Sequence, residues 1–200
     1  YWLVGAYWDD KEPQDQSKRF LDEGIWENGY EHKFSDDVKA MKVGDKIAIK
    51  AAFTQRKNLP FDSQGKTVSR MDIKAIGTIV ANRGDGKTVE VEWDPDFEVK
   101  TWYFYTARTT VWKLQTSKSY KLHDLSKRLI DFIWNGQEQD YEFFCDKWWG
   151  AEMQSFLDLT ADTLGDVEIS RIRTSAYGVD DIVAAGVFVI ASGVAVALAG

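Results

Sequence analysis

Cysteine and histidine are nearly missing from this chain. Among 200 residues there is one cysteine and there are two histidines. With Cys145 alone, no disulfide can close within the chain, which favours a reducing compartment. His32 and His123 lie far apart with no cysteine beside either, so no zinc site is expected. No nucleophile stands near a histidine in a Ser/His/Asp or Cys/His pattern. Net positive charge is also lacking. The formal charge is −7, which argues against a generic coat for nucleic acid. The chain starts at Tyr1, inside a β-prone run, with no signal-peptide pattern. We expect a cytoplasmic protein and a fragment of something longer.

What is present points to a globular fold. Hydrophobic residues make up 44% and charged residues 28%, outside the range of disordered chains. Nine tryptophans and eight tyrosines supply either large cores or stacking surfaces for planar ligands. Charge is uneven. Between Lys46 and Lys74 seven basic residues face only Asp62 and Asp72. A basic stretch in an acidic chain is a candidate phosphate-facing surface.

Residues Asp37–Phe53 organise the reading. Asp37–Val43 reads as a helical turn, Gly44-Asp45 as a tight turn, and Ile47 and Ile49 alternate with Lys46, Ala48 and Lys50 as a half-buried strand. Its lysines either wall a polar site or face solvent. Upstream, Tyr1–Tyr7 reads as a strand. Asp15–Gly24 reads as a helix stopped by Gly24, and Ile25–Tyr30 as a loop holding Trp26 and Tyr30. Downstream, Thr54–Arg70 reads as a long loop. Asp72–Asn82 and Lys87–Trp93 read as strands joined by hairpin residues Arg83–Gly86, and Trp102–Ala107 and Thr109–Leu114 as more strand. Together these predict a small antiparallel or mixed barrel. From Lys121 the apolar spacing turns helical, and Tyr141–Trp149 is a further helix or packed turn. Asp158–Ala176 reads as a connecting segment, and Ile182–Gly200 carries no charge.

Two chemical motifs fail. Gly86-Lys87-Thr88 lacks the earlier glycine and the following helix of a phosphate loop, so it reads as a hairpin. Asp85 with Glu98 and Lys100 loosely resembles a metal-dependent nuclease core, a pattern that chance supplies in a charged chain. No catalytic residue, metal or cofactor is expected.

Several blocks occur in a specific order. They are Trp26-Glu27-Asn28-Gly29, Met41–Lys50, Leu59-Pro60-Phe61-Asp62, Met71–Gly77, Asp85-Gly86, Val91-Glu92-Trp93, Trp102–Thr106 and Thr110-Val111-Trp112. The order resembles the EVE-like domain of the PUA superfamily that begins McrB-type AAA+ restriction ATPases. Ile130–Phe144 resembles the segment that follows there, and Tyr177–Val183 resembles the linker into the ATPase domain.

The resemblance implies an α+β fold: a PUA-like (EVE/YTH-like) small β-barrel with flanking helices over 1–116, a helical extension over 117–176 and an apolar linker or tail over 177–200. It implies recognition of a methylated or hydroxymethylated base flipped out of double-stranded DNA. Cleavage would fall to a separate nuclease subunit reached through an AAA+ oligomer formed by further chain. Carried onto these residues, Trp8, Trp26 and Tyr30 wall the base pocket, with Lys50 and Phe53 at its rim. Arg56, Lys57 and Arg70, from the basic stretch, are expected to hold phosphates. Trp26 and Tyr30 have an alternative as core residues. The other functions kept open are a protein-binding adaptor and a nuclease at Asp85, Glu98 and Lys100. Ile182–Gly200 would make a helix of about 28 Å, read as a truncated linker in preference to a membrane anchor.

Overall fold

The computed structural model describes residues 1–8 and 13–149. Nine strands and four helices are defined among them. The strands are β1 (Trp2–Val4), β2 (Tyr7–Trp8), β3 (Gln14–Asp15), β4 (Ile25–Glu27), β5 (Lys46–Gln55), β6 (Val68–Asn82), β7 (Thr88–Trp93), β8 (Lys100–Tyr103) and β9 (Val111–Lys113). The helices are α1 (Ser17–Glu23), α2 (Ser35–Ala40), α3 (His123–Trp134) and α4 (Tyr141–Trp149). The fold is α+β on a seven-stranded mixed sheet ordered β4-β7-β6-β5-β1-β9, with β8 also paired to β6. β1 runs parallel to β5 and antiparallel to β9. β2 and β3 form a separate two-stranded ribbon.

The chain divides into two compact units that are not consecutive in sequence. The first holds Tyr1–Ala51, Asp72–Thr101 and Thr109–Gln137. The second holds Ala52–Met71, Trp102–Arg108 and, among the described residues, 138–149.

In the first unit, Trp2, Val4, Ile47, Ile49, Ala75, Ile79, Val89 and Val91 make one buried cluster with Phe20 of α1 and Val38 of α2. Burial at this density excludes water from strand residues that alternate toward one side. α1 ends because Gly24 adopts the left-handed conformation at φ 65° and its N–H closes on Leu21 and Phe20 carbonyls, as a C-terminal glycine should. The turn at Gly44-Asp45 is fastened by the Asp45 carboxylate. It accepts the Trp2 indole N–H at 2.8 Å and the Lys42 amide at 2.9 Å. α3 buries Leu125, Leu129, Ile130, Phe132 and Ile133. This is the apolar spacing seen from Lys121 onward.

In the second unit, Phe61 stacks on Phe104 at 5.0 Å and meets Tyr103 and Tyr141 by their edges or at a tilt. Gln139 clasps the Tyr103 backbone, accepting its amide at 2.9 Å and donating to its carbonyl at 2.8 Å. The side-chain amide thus stands in for a neighbouring strand and satisfies two buried backbone groups.

The structure corrects several expectations. Ile25–Tyr30 is not all loop: Ile25–Glu27 form β4, where Trp26 faces Val89 of β7. The Asn28-Gly29 turn signal is real but begins after the strand. Thr54–Arg70 is shorter as a loop, because β5 runs to Gln55 and β6 starts at Val68. Trp102–Ala107 stops being a strand after Tyr103, since Phe104 takes a positive φ of 70°. The helical turn expected at Asp37–Val43 lies earlier, at Ser35–Ala40. The barrel expectation is met in part: the mixed sheet, whose pairing path has ends at β4 and β9, is compatible with a small α+β barrel. Asp158–Ala176, Tyr177–Val183 and Ile182–Gly200 lie outside the described residues.

Candidate nucleic-acid interface

In the first unit the residues around Trp8 form one group. Beyond β1, Gly5 donates its amide to Thr110 at 2.7 Å and accepts the Trp26 indole N–H at 2.9 Å. The chain then turns into β2, which ends at Trp8. The Trp8 ring is half-buried. It meets Phe20 edge-on at 6.2 Å, and the Arg19 guanidinium lies 4.9 Å from its centroid. Arg19 is itself oriented by Glu27 at 2.9 Å and Glu23 at 3.3 Å.

The loop after β4 presses its backbone against this ring. A Cβ on Gly29 would lie 2.7 Å from Cδ1 and Nε1 of Trp8, so only glycine fits while the indole stays where it is. The loop is held by Asn28, which is buried. Its side chain donates to the Lys33 carbonyl at 2.8 Å and accepts the Tyr30 amide at 3.2 Å. Tyr30 is 39% exposed. Its ring meets Phe34 edge-on at 5.7 Å, and the Lys33 ammonium lies 5.1 Å from it.

Of the three wall candidates, Trp8 and Tyr30 therefore present ring surface. Trp26 does not. It is 0% exposed, sits in the core cluster and has its one donor satisfied. A base cannot stack on a ring with no accessible face, so Trp26 is the core plug of its two readings.

Lys50 is corrected in the same way. It is 3% exposed and donates Nζ to the Thr109 carbonyl at 2.6 Å. Burial drives its ammonium down to about 7, because a low-dielectric site penalises the charged form. Neither a solvated face nor an open rim describes it.

The second unit carries Phe53, Arg56, Lys57 and Arg70. Phe53 on β5 is 39% exposed, and the Arg70 guanidinium from β6 lies 4.9 Å from its ring centroid. Arg70 also donates Nη1 to Gln55 at 2.9 Å. Between the strands, Arg56 donates Nε to the Gly65 carbonyl at 3.1 Å. Gln55 holds the other side of the loop through the Lys57 and Asn58 carbonyls, at 2.8 and 3.0 Å. Arg56, Lys57 and Lys66 are exposed, and Asp62 is the single acid of Ala52–Met71. The arrangement offers phosphate-binding cations beside a phenyl ring and a planar cation, groups on which a base can stack.

The nuclease candidates are occupied elsewhere. The Asp85 carboxylate accepts the Lys87 and Thr88 amides at 2.7 and 2.8 Å and shapes the β6–β7 turn. Burial pushes its pKa up, but these bonds outweigh it and hold it below the usual value. Lys100 donates to the Phe132 carbonyl at 3.3 Å. Among the described residues, no three His, Cys, Asp or Glu side chains stand together to hold a metal.

Sequence reasoning missed Arg19, the side-chain bonds by which Asn28 holds its loop, and the contact of Lys74 with Tyr7 and Asp15. Lys74 donates to the Tyr7 hydroxyl at 2.9 Å and to Asp15 at 2.6 Å. Each is a lone polar residue whose partner is fixed only by the pairing of distant segments. No protein-family model, curated protein or solved structure matches the chain.

Proposed function

We propose that this chain is a DNA-binding specificity module. It holds a modified base, flipped from a duplex, on a small PUA-like domain that serves a modification-dependent restriction ATPase. The observation that carries the reading is Phe53, exposed and covered by Arg70, beside a loop where Arg56, Lys57 and Lys66 outnumber Asp62. In a chain of net charge −7, that concentration of cations and an open aromatic supports phosphate contact with stacking.

In this reading Arg56, Lys57 and Arg70 hold the backbone and Phe53 stacks. Trp8 and Tyr30 are, within the first unit by itself, the accessible rings on which a base can stack. Aromatic stacking of roughly 1–3 kcal/mol per base offsets the few kcal/mol lost when a base leaves its stack. Nucleotide hydrolysis and strand cleavage belong to other parts of the assembly.

The test is a binding panel of short duplexes that differ in one base: cytosine, 5-methylcytosine, 5-hydroxymethylcytosine, adenine or 6-methyladenine. One modified duplex should bind more tightly than its unmodified parent, and Phe53→Ala should weaken both. Absence of binding to every duplex at low salt overturns the reading and leaves the protein-binding adaptor in its place.

A further inference from the structure

Asparagine followed by glycine occurs twice in the chain, at Asn28-Gly29 and at Asn135-Gly136. Such a pair is reactive because glycine has no Cβ to shield its backbone nitrogen. That nitrogen can reach the side-chain carbon of the asparagine before it. The fold decides whether it does, and it treats the two pairs differently.

Asn28 is held. It is buried, its Nδ2 donates to the Lys33 carbonyl at 2.8 Å and its Oδ1 accepts the Tyr30 amide at 3.2 Å. The Gly29 backbone is pressed against the Trp8 indole, so that a Cβ there would come within 2.7 Å of the ring. Turning the Asn28 side chain toward Gly29 would strip both bonds from a buried amide, which is costly.

Asn135 is open. It is the residue after α3, and Asn135, Gly136 and Gln137 are all exposed. Gly136 takes a positive φ of 69°, and a Cβ built on it would meet no atom within 4 Å. The Asn135 Nδ2 donates to an Asp131 carboxylate oxygen at 2.8 Å, in an exposed position where water can replace it. The Asn135 ψ of 7° must change before the glycine nitrogen can meet the side-chain carbon. Such a change is local, and helix ends open at little cost in free energy.

We propose that Asn135 is a site of spontaneous deamidation. The Gly136 backbone nitrogen attacks Cγ of Asn135, and the new C–N bond closes a cyclic imide. The Cγ–Nδ2 bond breaks, and Nδ2 leaves as ammonia with the proton given up by the Gly136 nitrogen. Water then opens the imide at either carbonyl, leaving aspartate or isoaspartate. Either product sets a carboxylate against Asp131 in place of a donor, at a helix end that disfavours negative charge. Isoaspartate also adds a methylene to the main chain between the Asn135 and Gln137 amides, which both donate to the Asp131 carbonyl, at 3.0 and 3.2 Å. The last turn of α3, which buries Phe132 and Ile133, would lose its cap. Modification with age would thus loosen the end of this helix.

Peptide mapping by mass spectrometry, on the native chain kept in mildly alkaline buffer, tests this. The peptide holding Asn135 should gain one mass unit progressively, as separable aspartate and isoaspartate forms, and the peptide holding Asn28 should not. In guanidinium chloride both should gain it. Asn135→Gln should abolish the gain in its own peptide. Hydrogen exchange at the Gln137 amide should quicken in the isoaspartate fraction. No gain at Asn135 in the native chain, or an equally fast gain at Asn28, overturns the proposal. Aspartate without isoaspartate would mean direct hydrolysis and overturn the imide route. Unchanged exchange at Gln137 overturns the loosening of α3. The comparison of native and denatured wild-type chain decides the matter even where the variant fails to fold.

Discussion

Removing the Trp26 indole would leave a hole inside the first unit and free the Gly5 carbonyl. Trp26→Ala should therefore cost about 3–5 kcal/mol of stability, read as a large fall in melting temperature. Affinities for modified and unmodified DNA should fall together. Trp8→Ala should behave differently, because the ring is half-buried and its neighbours are Arg19, Phe20 and the Gly29 backbone. Its expected loss is about 1–3 kcal/mol of binding to the modified duplex alone. Equal losses on both duplexes would remove Trp8 from the pocket.

Lys50 gives a prediction in pH. Its folded pKa of about 7 lies below the value of roughly 10.4 for an unfolded lysine. Between these values the unfolded chain binds more protons, so stability rises with pH across that window. The destabilising contribution is complete below pH 7 and is gone above the unfolded value. Lys50→Met should thus raise stability near pH 6 by about 1–4 kcal/mol, as hydrophobic replacements of buried charges often do. The gain should shrink steadily toward pH 10. A gain that is flat across the window would mean that the lysine is neutral or solvated throughout.

At the scale of elements, the loop between β5 and β6 is where charge should govern binding. Arg56→Ala or Lys57→Ala should weaken all duplexes alike and lower the salt slope by about one unit per lost contact. An unchanged slope in both variants would make these side chains ordinary solvated cations. The legibility of the chain also divides at this scale. Gly24 was readable as a helix stop because one residue supplies the whole signal, a left-handed C-cap. The basic stretch was readable for the same reason, since charge is a property of composition. β4 was not, because three residues before Asn28-Gly29 carry too little periodicity to outweigh a turn signal. Lys50 misled because alternation sets which side a residue faces and not how much covers that side. The contact of Phe53 with Arg70, and of Trp8 with Gly29, depends on strand pairing and loop closure that no local pattern records.

At the scale of the whole molecule, the net charge of −7 works against DNA while the loop of the second unit works for it. Among the described residues, no helix is long and apolar enough to cross a membrane.

One consequence follows from the position of β1. It is a three-residue strand, yet Leu3 faces Ala48 of β5 on one side and Trp112 of β9 on the other. β1 is thus a wedge between β5 and β9. Contacts this distant in sequence close slowly, because loop entropy is lost before pairing repays it. On a ribosome, β1 has no partner on its second side until β9 has emerged. Until then this part of the sheet keeps an unpaired edge, which is a template for association between chains. Refolding from denaturant should show a slow phase that lengthens in Leu3→Ala if β1 docks in the rate-limiting step. The yield of refolded monomer should fall as protein concentration rises. A strand of three residues would then set both the sheet's folding speed and its exposure to aggregation.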